Sequence, residues 1–347
     1  MKLFNSIQLS AIFRWPLALV LTALIVPGVV QADSWHAKVG AQSDDQGRQI
    51  LAFLPNEMWI HAGDSITWNF VAGEIHTVSF LKPGQVRPTP NAGCPGTTLD
   101  GSSFTGADCV NSSILTSGPS FTVNFPGAGN FKLVCLVHAN MTGTVHVLDL
   151  AQTLPHDQDF YDREGEREAR ELLADGSRLT ARGLAAAHQS SDIGEGDGND
   201  DDNDSRAVTA GMSEVVSTTG GGSQSVSVMR FLRDAIVVDV GDTVEWTNFG
   251  PIVQHTVTFG TEPTDPTPPS SGITIDPDGA RHAIVGSPAD SVNSGALLPE
   301  RQDRAGLPQV PLAVTHFRVT FTQPGVFNYK CAIHDQLGMV GRVTVLP

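Results

Sequence analysis

Residues 325–345 read Gly325-Val-Phe327-Asn-Tyr329-Lys-Cys331-Ala-Ile-His334-Asp-Gln-Leu-Gly-Met339-Val-Gly341-Arg-Val343-Thr-Val345. Their outline already occurs at Gly129-Asn-Phe131-Lys-Leu133-Val-Cys135-Leu-Val-His138-Ala-Asn-Met141-Thr-Gly143-Thr-Val145-His-Val147, 196 residues earlier as far as the histidine. In both stretches apolar residues alternate with polar ones on either side of the cysteine. That period of two predicts a strand running into the cysteine, a short loop carrying His and Met, and a strand leading back.

Working outward, the match continues. Phe53-Leu54, Met58-Trp59-Ile60, Gly63-Asp64 and Trp68 correspond to Phe231-Leu232, Ile236-Val237-Val238, Gly241-Asp242 and Trp246 at an offset of 178. His76-Thr77-Val78-Ser79-Phe80 corresponds to His255-Thr256-Val257-Thr258-Phe259 at 179, and Phe121-x-Val123-x-Phe125 to Phe317-x-Val319-x-Phe321 at 196. The chain therefore holds two copies of one domain. Within each, short alternating runs such as Ile66-x-Trp68 and Val145-x-Val147 are bounded by Gly, Pro, Asp and Asn, which predicts half-buried antiparallel strands. The expected fold class is all-β: two tandem Greek-key β-sandwich domains, at 33–150 and 206–347.

The 347 residues fit this division, at roughly 100 to 200 per domain. A net charge of −16 argues against a nucleic-acid binder, which needs a basic face. The long apolar run, Trp15 to Val30, lies at the N-terminus and excludes a multi-span membrane protein. It follows Lys2 and Arg14 and leads into Val30-Gln31-Ala32, so residues 1–32 read as a cleavable secretory signal cut after Ala32. The expected location is periplasmic or secreted, with no stable membrane insertion after cleavage.

Residues 33–150 hold 9 acids and 5 bases, residues 206–347 hold 13 and 9, and the segment between holds 15 and 5. Most of the acidity thus belongs to a linker, 151–205. From His156 to about Ala174 it is rich in helix formers, with pairs such as Glu166 and Arg170 at i,i+4 spacing, which predicts a short surface helix. Ser190 to Ser205 is too polar to bury anything and is expected to be disordered. A calcium loop is the alternative for this run, although it lacks the usual register of ligands.

The chemistry lies in what the copies share: His76, Cys135, His138 and Met141 in the first, His255, Cys331, His334 and Met339 in the second. Thiolate and thioether are soft donors and imidazole is intermediate, so this set describes a mononuclear type 1 copper site. One copper per domain, two in total, is the expected cofactor content. Zinc is the competing metal, but its structural sites favour more thiolates and no Met. Cys94 and Cys109, in the first copy's long loop, are expected to form a disulfide in an exported protein, worth ~3 kcal/mol through restriction of the unfolded chain. The remaining histidines (His36, His61, His146, His156, His188, His282, His316) have no partner in the other copy and read as ordinary surface or strand residues.

These residues resemble the cupredoxins, the plastocyanin, azurin and amicyanin group. The second copy's Cys-x2-His-x4-Met is similar to plastocyanin's last loop, and the first copy's Cys-x2-His-x2-Met to amicyanin's shorter one. The resemblance implies that the eight residues above are the metal ligands. It also implies that His138 or His334 is the more exposed ligand through which electrons pass, and that Leu136, Val137, Ala139, Met141, Ala332, Ile333 and Leu337 form an apolar docking patch. Thr77 and Thr256 stand where the family often has Asn, so the bond tying that strand to the cysteine loop must come from a hydroxyl or the backbone.

The expected function is electron transfer between redox protein partners, with no enzymatic activity. Two alternatives remain open. Copper delivery would favour exchangeable, Met-rich sites, and the chain has only six Met. A two-domain copper oxidase or nitrite reductase-like enzyme would flank the copper cysteine with histidine, whereas Val134, Leu136, Lys330 and Ala332 stand there.

Overall fold

The computed structural model describes residues 32–90, 94, 99–192, 206–250, 252–298 and 314–347. The expected signal, apart from Ala32, and the acidic run from residue 193 with its calcium alternative lie outside the described residues. The first copy comprises β1 (Ser34–Gln42), β2 (Arg48–Leu54), β3 (Glu57–His61), β4 (Ser65–Phe70), β5 (Ser79–Phe80), β6 (Ser102–Ser103), β7 (Val110–Asn111), β8 (Ser120–Asn124), β9 (Gly129–Val134) and β10 (Thr142–Leu148). Helix α1 (Gln158–Asp192) follows. The second copy comprises β11 (Ala207–Thr218), β12 (Ser223–Leu232), β13 (Ala235–Asp239), β14 (Thr243–Thr247), β15 (Thr258–Phe259), β16 (Thr274–Ile275), β17 (Arg281–Val285), β18 (Val292–Asn293), β19 (His316–Phe321), β20 (Gly325–Lys330) and β21 (Val340–Leu346).

The period-two residues face inward as expected. Ile66, Trp68, Phe121, Val123, Val145 and Val147 are buried in one core, and Val244, Trp246, Phe317, Val319, Val343 and Val345 in a second. Each core lies between two sheets, which makes the fold all-β with two sandwiches. One sheet of each is separate, with strand orders β3-β10-β9-β5-β7 and β13-β21-β20-β15-β18. The other two are continuous: β16-β17-β19-β14-β11-β12 joins β2-β1-β4-β8-β6 through hydrogen bonds between β12 and β2. Short strands from the long connections stand at the sheet edges, β6 and β7 in the first copy and β16 and β18 in the second.

The β2–β12 junction is antiparallel, with Leu51 opposite Ser225, Ile50 opposite Val226, Gln49 opposite Ser227 and Arg48 opposite Val228. At the repeat offset of 178, Gln49 is the equivalent of Ser227. Equivalent strands therefore meet about a local two-fold axis through that pair, as in an isologous dimer made within one chain.

Pairing buries both faces of β2. Leu51 and Phe53 enter the first core, while Ile50, Ala52 and Leu54 face the other way and meet Val226, Val228 and Leu232 of β12. Leu172 and Leu179 of α1 cover this second face, each burial contributing about 1.5–3 kcal/mol. The helix is thus not the short surface element expected to end near Ala174, because its apolar side continues along the joined sheet. Tyr161 anchors its start by accepting from the Trp59 N–H (2.8 Å) and donating to the Trp59 carbonyl (3.0 Å). Glu166 lies 4.0 Å from Lys38 of β1, and the i,i+4 ion pair on this surface is Arg167 with Glu171 at 2.6 Å.

Cys94 and Cys109 form the expected disulfide. Among the described residues, no helix is long and apolar enough to cross a membrane.

Candidate metal centres

Two clusters among the described residues bring Cys and His donors together: His76, Cys135 and His138, and His255, Cys331 and His334. In the second, Nδ1 of His255 and Nδ1 of His334 are 3.1 Å apart, and Cys331 Sγ lies 3.9 and 3.4 Å from them. In the first, Cys135 Sγ is 3.7 Å from His138 Nδ1, and the His76 and His138 rings meet at 5.1 Å between centroids. Met141 and Met339 are fully buried in the same cores. Their carbonyls accept from the Cys135 and Cys331 N–H groups at 3.0 Å, which sets each methionine beside its cysteine.

The cysteine of each site lies just past a strand end, β9 or β20, and the distant histidine comes from the chain entering β5 or β15. The long loops hold that histidine by paired backbone bonds, His76 with Leu115 (2.8 and 2.9 Å) and His255 with Leu297 (3.1 and 2.8 Å). The threonine that follows supplies the expected tie in both forms. Thr77 Oγ1 accepts from Leu136 N–H at 2.8 Å and Thr256 Oγ1 from Ala332 N–H at 2.9 Å. Their own N–H groups point at the thiolates, 3.4 Å from Cys135 Sγ and 3.3 Å from Cys331 Sγ.

Two glycines that the sequence reading passed over complete the pattern. Gly40 (φ +72°) and Gly211 (φ +78°) sit in bulges of β1 and β11, and each backs onto the distant histidine. A Cβ on Gly40 would lie 2.9 Å from His76 Nε2, and one on Gly211 only 2.1 Å from His255 Nε2. Only glycine fits both the conformation and the approach. A Gly between apolar residues in the first strand of each copy, Val39-Gly-Ala41 and Ala210-Gly-Met212, was the available signal.

The larger omission is Glu74. Its Oε1 lies 3.4 Å from His138 Nε2, and its Oε2 lies 3.3 Å from His334 Nε2, so one carboxylate stands between a histidine of each copy. The residue is 4 % exposed. Its backbone N–H donates to Gln49 Oε1 at 3.3 Å, and the preceding Gly73 N–H to Gln42 Oε1 at 2.7 Å. The position equivalent to Glu74 in the second copy is Val253, which is buried in the first copy's core.

This arrangement corrects two expectations drawn from the family. His138 and His334 are not exposed: 2 % and 1 % of their surfaces remain. Leu136, Met141, Ala332 and Leu337 are buried too, with Leu337 inserted into the first core, while Val137, Ala139 and Ile333 are partly buried, so most of the expected apolar patch is closed. Arg230 helps fix the join, donating from Nη1 to the Leu337 carbonyl of its own copy at 2.6 Å and from Nη2 to the Asp45 carbonyl of the first copy. Of the other histidines, His146 meets Glu57 and Asn130, His282 meets Asp276, and His316 meets Thr247, as strand residues do.

Burial pushes the Cys135 and Cys331 thiols up, but the neighbouring imidazoles outweigh it and hold both well below the usual thiol range. Burial likewise opposes charge on His138 and His334, yet the thiolates and Glu74 raise them to about 9 and about 10. Glu74, for which burial alone would favour the neutral form, is held well below its ordinary value by those two histidines. His255 is lowered, chiefly by burial. Each cage is therefore built around a thiolate.

The donor sets fit a metal ion. Both ring nitrogens of His76 are buried without a hydrogen-bond partner, a cost that a coordinate bond at one of them would offset. The second site's triangle of 3.1 to 3.9 Å matches the spacing of donors about 2.0 to 2.3 Å from a shared ion. Two imidazoles, one thiolate and a thioether nearby suit copper, which takes His₂Cys in a trigonal plane with a long axial Met. A carboxylate accepts and does not donate, so Glu74 faces the Nε2–H tautomer of both imidazoles and leaves Nδ1 toward the thiolate.

Solved structures similar to this chain include the oxidised form of plastocyanin from Dryopteris crassirhizoma, at 18% identity with a TM-score of 0.22, covering 40% of this chain and 99% of that one. Amicyanin from Paracoccus versutus (Thiobacillus versutus) is 20% identical with a TM-score of 0.24, covering 35% of this chain and 86% of that one. No curated protein matches. The family of copper binding proteins, plastocyanin/azurin family, matches residues 38–148 and again 215–346. With one Cys/His cage in each matched region, the chain belongs to the plastocyanin/azurin family of copper-binding proteins, in two copies.

Proposed function

We propose that this protein is an exported one-electron carrier that holds a type 1 copper in each sandwich and exchanges electrons with other redox proteins. The observation that carries the reading is the pair of preformed cages, each with two imidazoles and a thiolate converging inside a sandwich. Bound copper would supply a one-electron couple. The chain's own part is to hold His76, Cys135, His138 and Met141, and His255, Cys331, His334 and Met339, in one geometry for both oxidation states. Strands, threonine ties and bulge glycines fix those positions without help from the metal, which keeps reorganisation small.

Burial of all the histidine and cysteine donors speaks against delivery, where a receiving protein must reach a ligand. The enzyme reading needs an open metal position between the copies, and the side chain found between His138 and His334 is a carboxylate contacting two ligands that are already committed. The apolar N-terminal run supports export, and the acidic balance leaves no basic surface for nucleic acid.

Cys135→Ser and Cys331→Ser test the proposal site by site. Each should remove about half of the intense thiolate-to-copper absorption and one bound copper; a variant that retains full colour would show that its copy is not a redox centre.

A further inference from the structure

The local two-fold axis at Gln49 and Ser227 brings equivalent histidines, His138 and His334, toward one another, and a single carboxylate with two oxygens occupies the space between them. Only one copy can provide it. A second glutamate at Val253 would set two buried like charges together, which is costly, and the sequence has an apolar residue there. The asymmetry between Glu74 and Val253 is thus what a shared ligand-orienting group requires. The path from Cys135 to Cys331 runs through His138, Glu74 and His334, with contacts of 3.7, 3.4, 3.3 and 3.4 Å and no solvent-exposed member.

Resting on the two-copper reading, we propose that Glu74 is a positioning residue for both centres at once and makes them a single redox unit, joined by His138–Glu74–His334. One electron passes from the reduced centre to the oxidised one within the molecule; the first is oxidised as the second is reduced, and no atom or proton is transferred. The second centre therefore depends on a residue of the first copy. With both imidazole edges directed at each other, the inner faces serve exchange between the centres and not contact with a partner.

The experiment uses the mature protein loaded with copper. After flash reduction of a fraction of the centres by a one-electron photoreductant, the electron redistributes between the two thiolate bands at a rate independent of protein concentration. A rate proportional to concentration overturns the proposal, and this arm needs no variant. Glu74→Gln is then placed in the Cys135→Ser and Cys331→Ser proteins. An amide accepts at one end and donates at the other, so it cannot serve two N–H groups. The midpoint potential of the remaining centre should move in both backgrounds, and in the two-copper protein exchange should slow by at least about tenfold, the effect of 1.4 kcal/mol in barrier. A shift confined to the first copy's centre, which a local structural role would also give, overturns it. Glu74→Asp, which keeps the charge but shortens the reach, should slow exchange while moving the potentials less than Glu74→Gln does; equal shifts count against the proposal. A colourless, copper-free protein would instead fail the two-copper reading itself.

Discussion

Glu74 of the first copy lies 3.3 Å from His334 of the second, across a junction where Gln49 pairs with its own repeat equivalent, Ser227. Each sandwich contributes one half of a joined sheet, with its histidine edge turned inward.

A second carboxylate on the axis should be poorly tolerated. Val253→Glu would bury an unpaired charge near Glu74, and the denaturant midpoint should fall by the equivalent of roughly 3–5 kcal/mol. Val253→Leu, which keeps the site apolar but adds a methylene, should cost less, about 1–3 kcal/mol. Similar losses for the two would mean that packing volume, not charge, governs the position.

Gly211→Ala should empty the second site while sparing the first. Its φ of +78° adds roughly 1–2 kcal/mol of backbone strain, and its Cβ would displace His255. Gly241→Ala is the control, because it shares the positive φ (+98°) but meets nothing within 4 Å. Copper titration of the two variants should give one equivalent for Gly211→Ala and two for Gly241→Ala.

Thr256→Val removes the acceptor for Ala332 N–H and leaves that buried group unsatisfied, at a cost of about 1–3 kcal/mol. The cysteine loop loosens with it, so the second centre's absorption band should shift in position as well as the melting curve. An unmoved band would show that the backbone contact from Thr256 N–H to Cys331 Sγ suffices.

Glu168 gives the fold a pH dependence away from the metal sites. Burial against the sheet is the main cause that raises its carboxyl from the ordinary 4.5 to about 7, although Gln224 donates to it at 2.8 Å. The folded state therefore holds this proton more tightly than the unfolded chain, so stability is lost as pH rises from 4.5 to about 7, by up to roughly 3 kcal/mol. Glu168→Gln should be more stable than the parent at pH 8 and equal to it at pH 4 in chemical denaturation. An equal difference at both pH values would contradict the assignment.

Much of each centre was legible in the residues alone. Cys331, His334 and Met339 stand in one short loop, and His255 was found because the repeat carried His76 with it. The join between copies was not. Gln49, Ser225 and Ser227 are buried yet polar, so the alternation that marks a core face reads as solvent there. A trace existed in Ile50-Leu-Ala-Phe-Leu54, an unbroken apolar run of the kind a strand covered on both faces produces. Glu74 was visible only by comparison with Val253, because a lone Glu in a loop carries no local pattern. The helix outran its expected end because Leu179, beyond the run of helix formers, still reaches the sheet.

Everything proposed for the two centres requires that each of the soft, preformed cages hold one copper. Metal analysis of the purified mature protein together with its visible absorption tests this most directly. The expected result is two coppers per chain and an intense thiolate-to-copper band that bleaches on reduction with one electron per copper. Zinc in both cages with no visible band would contradict it.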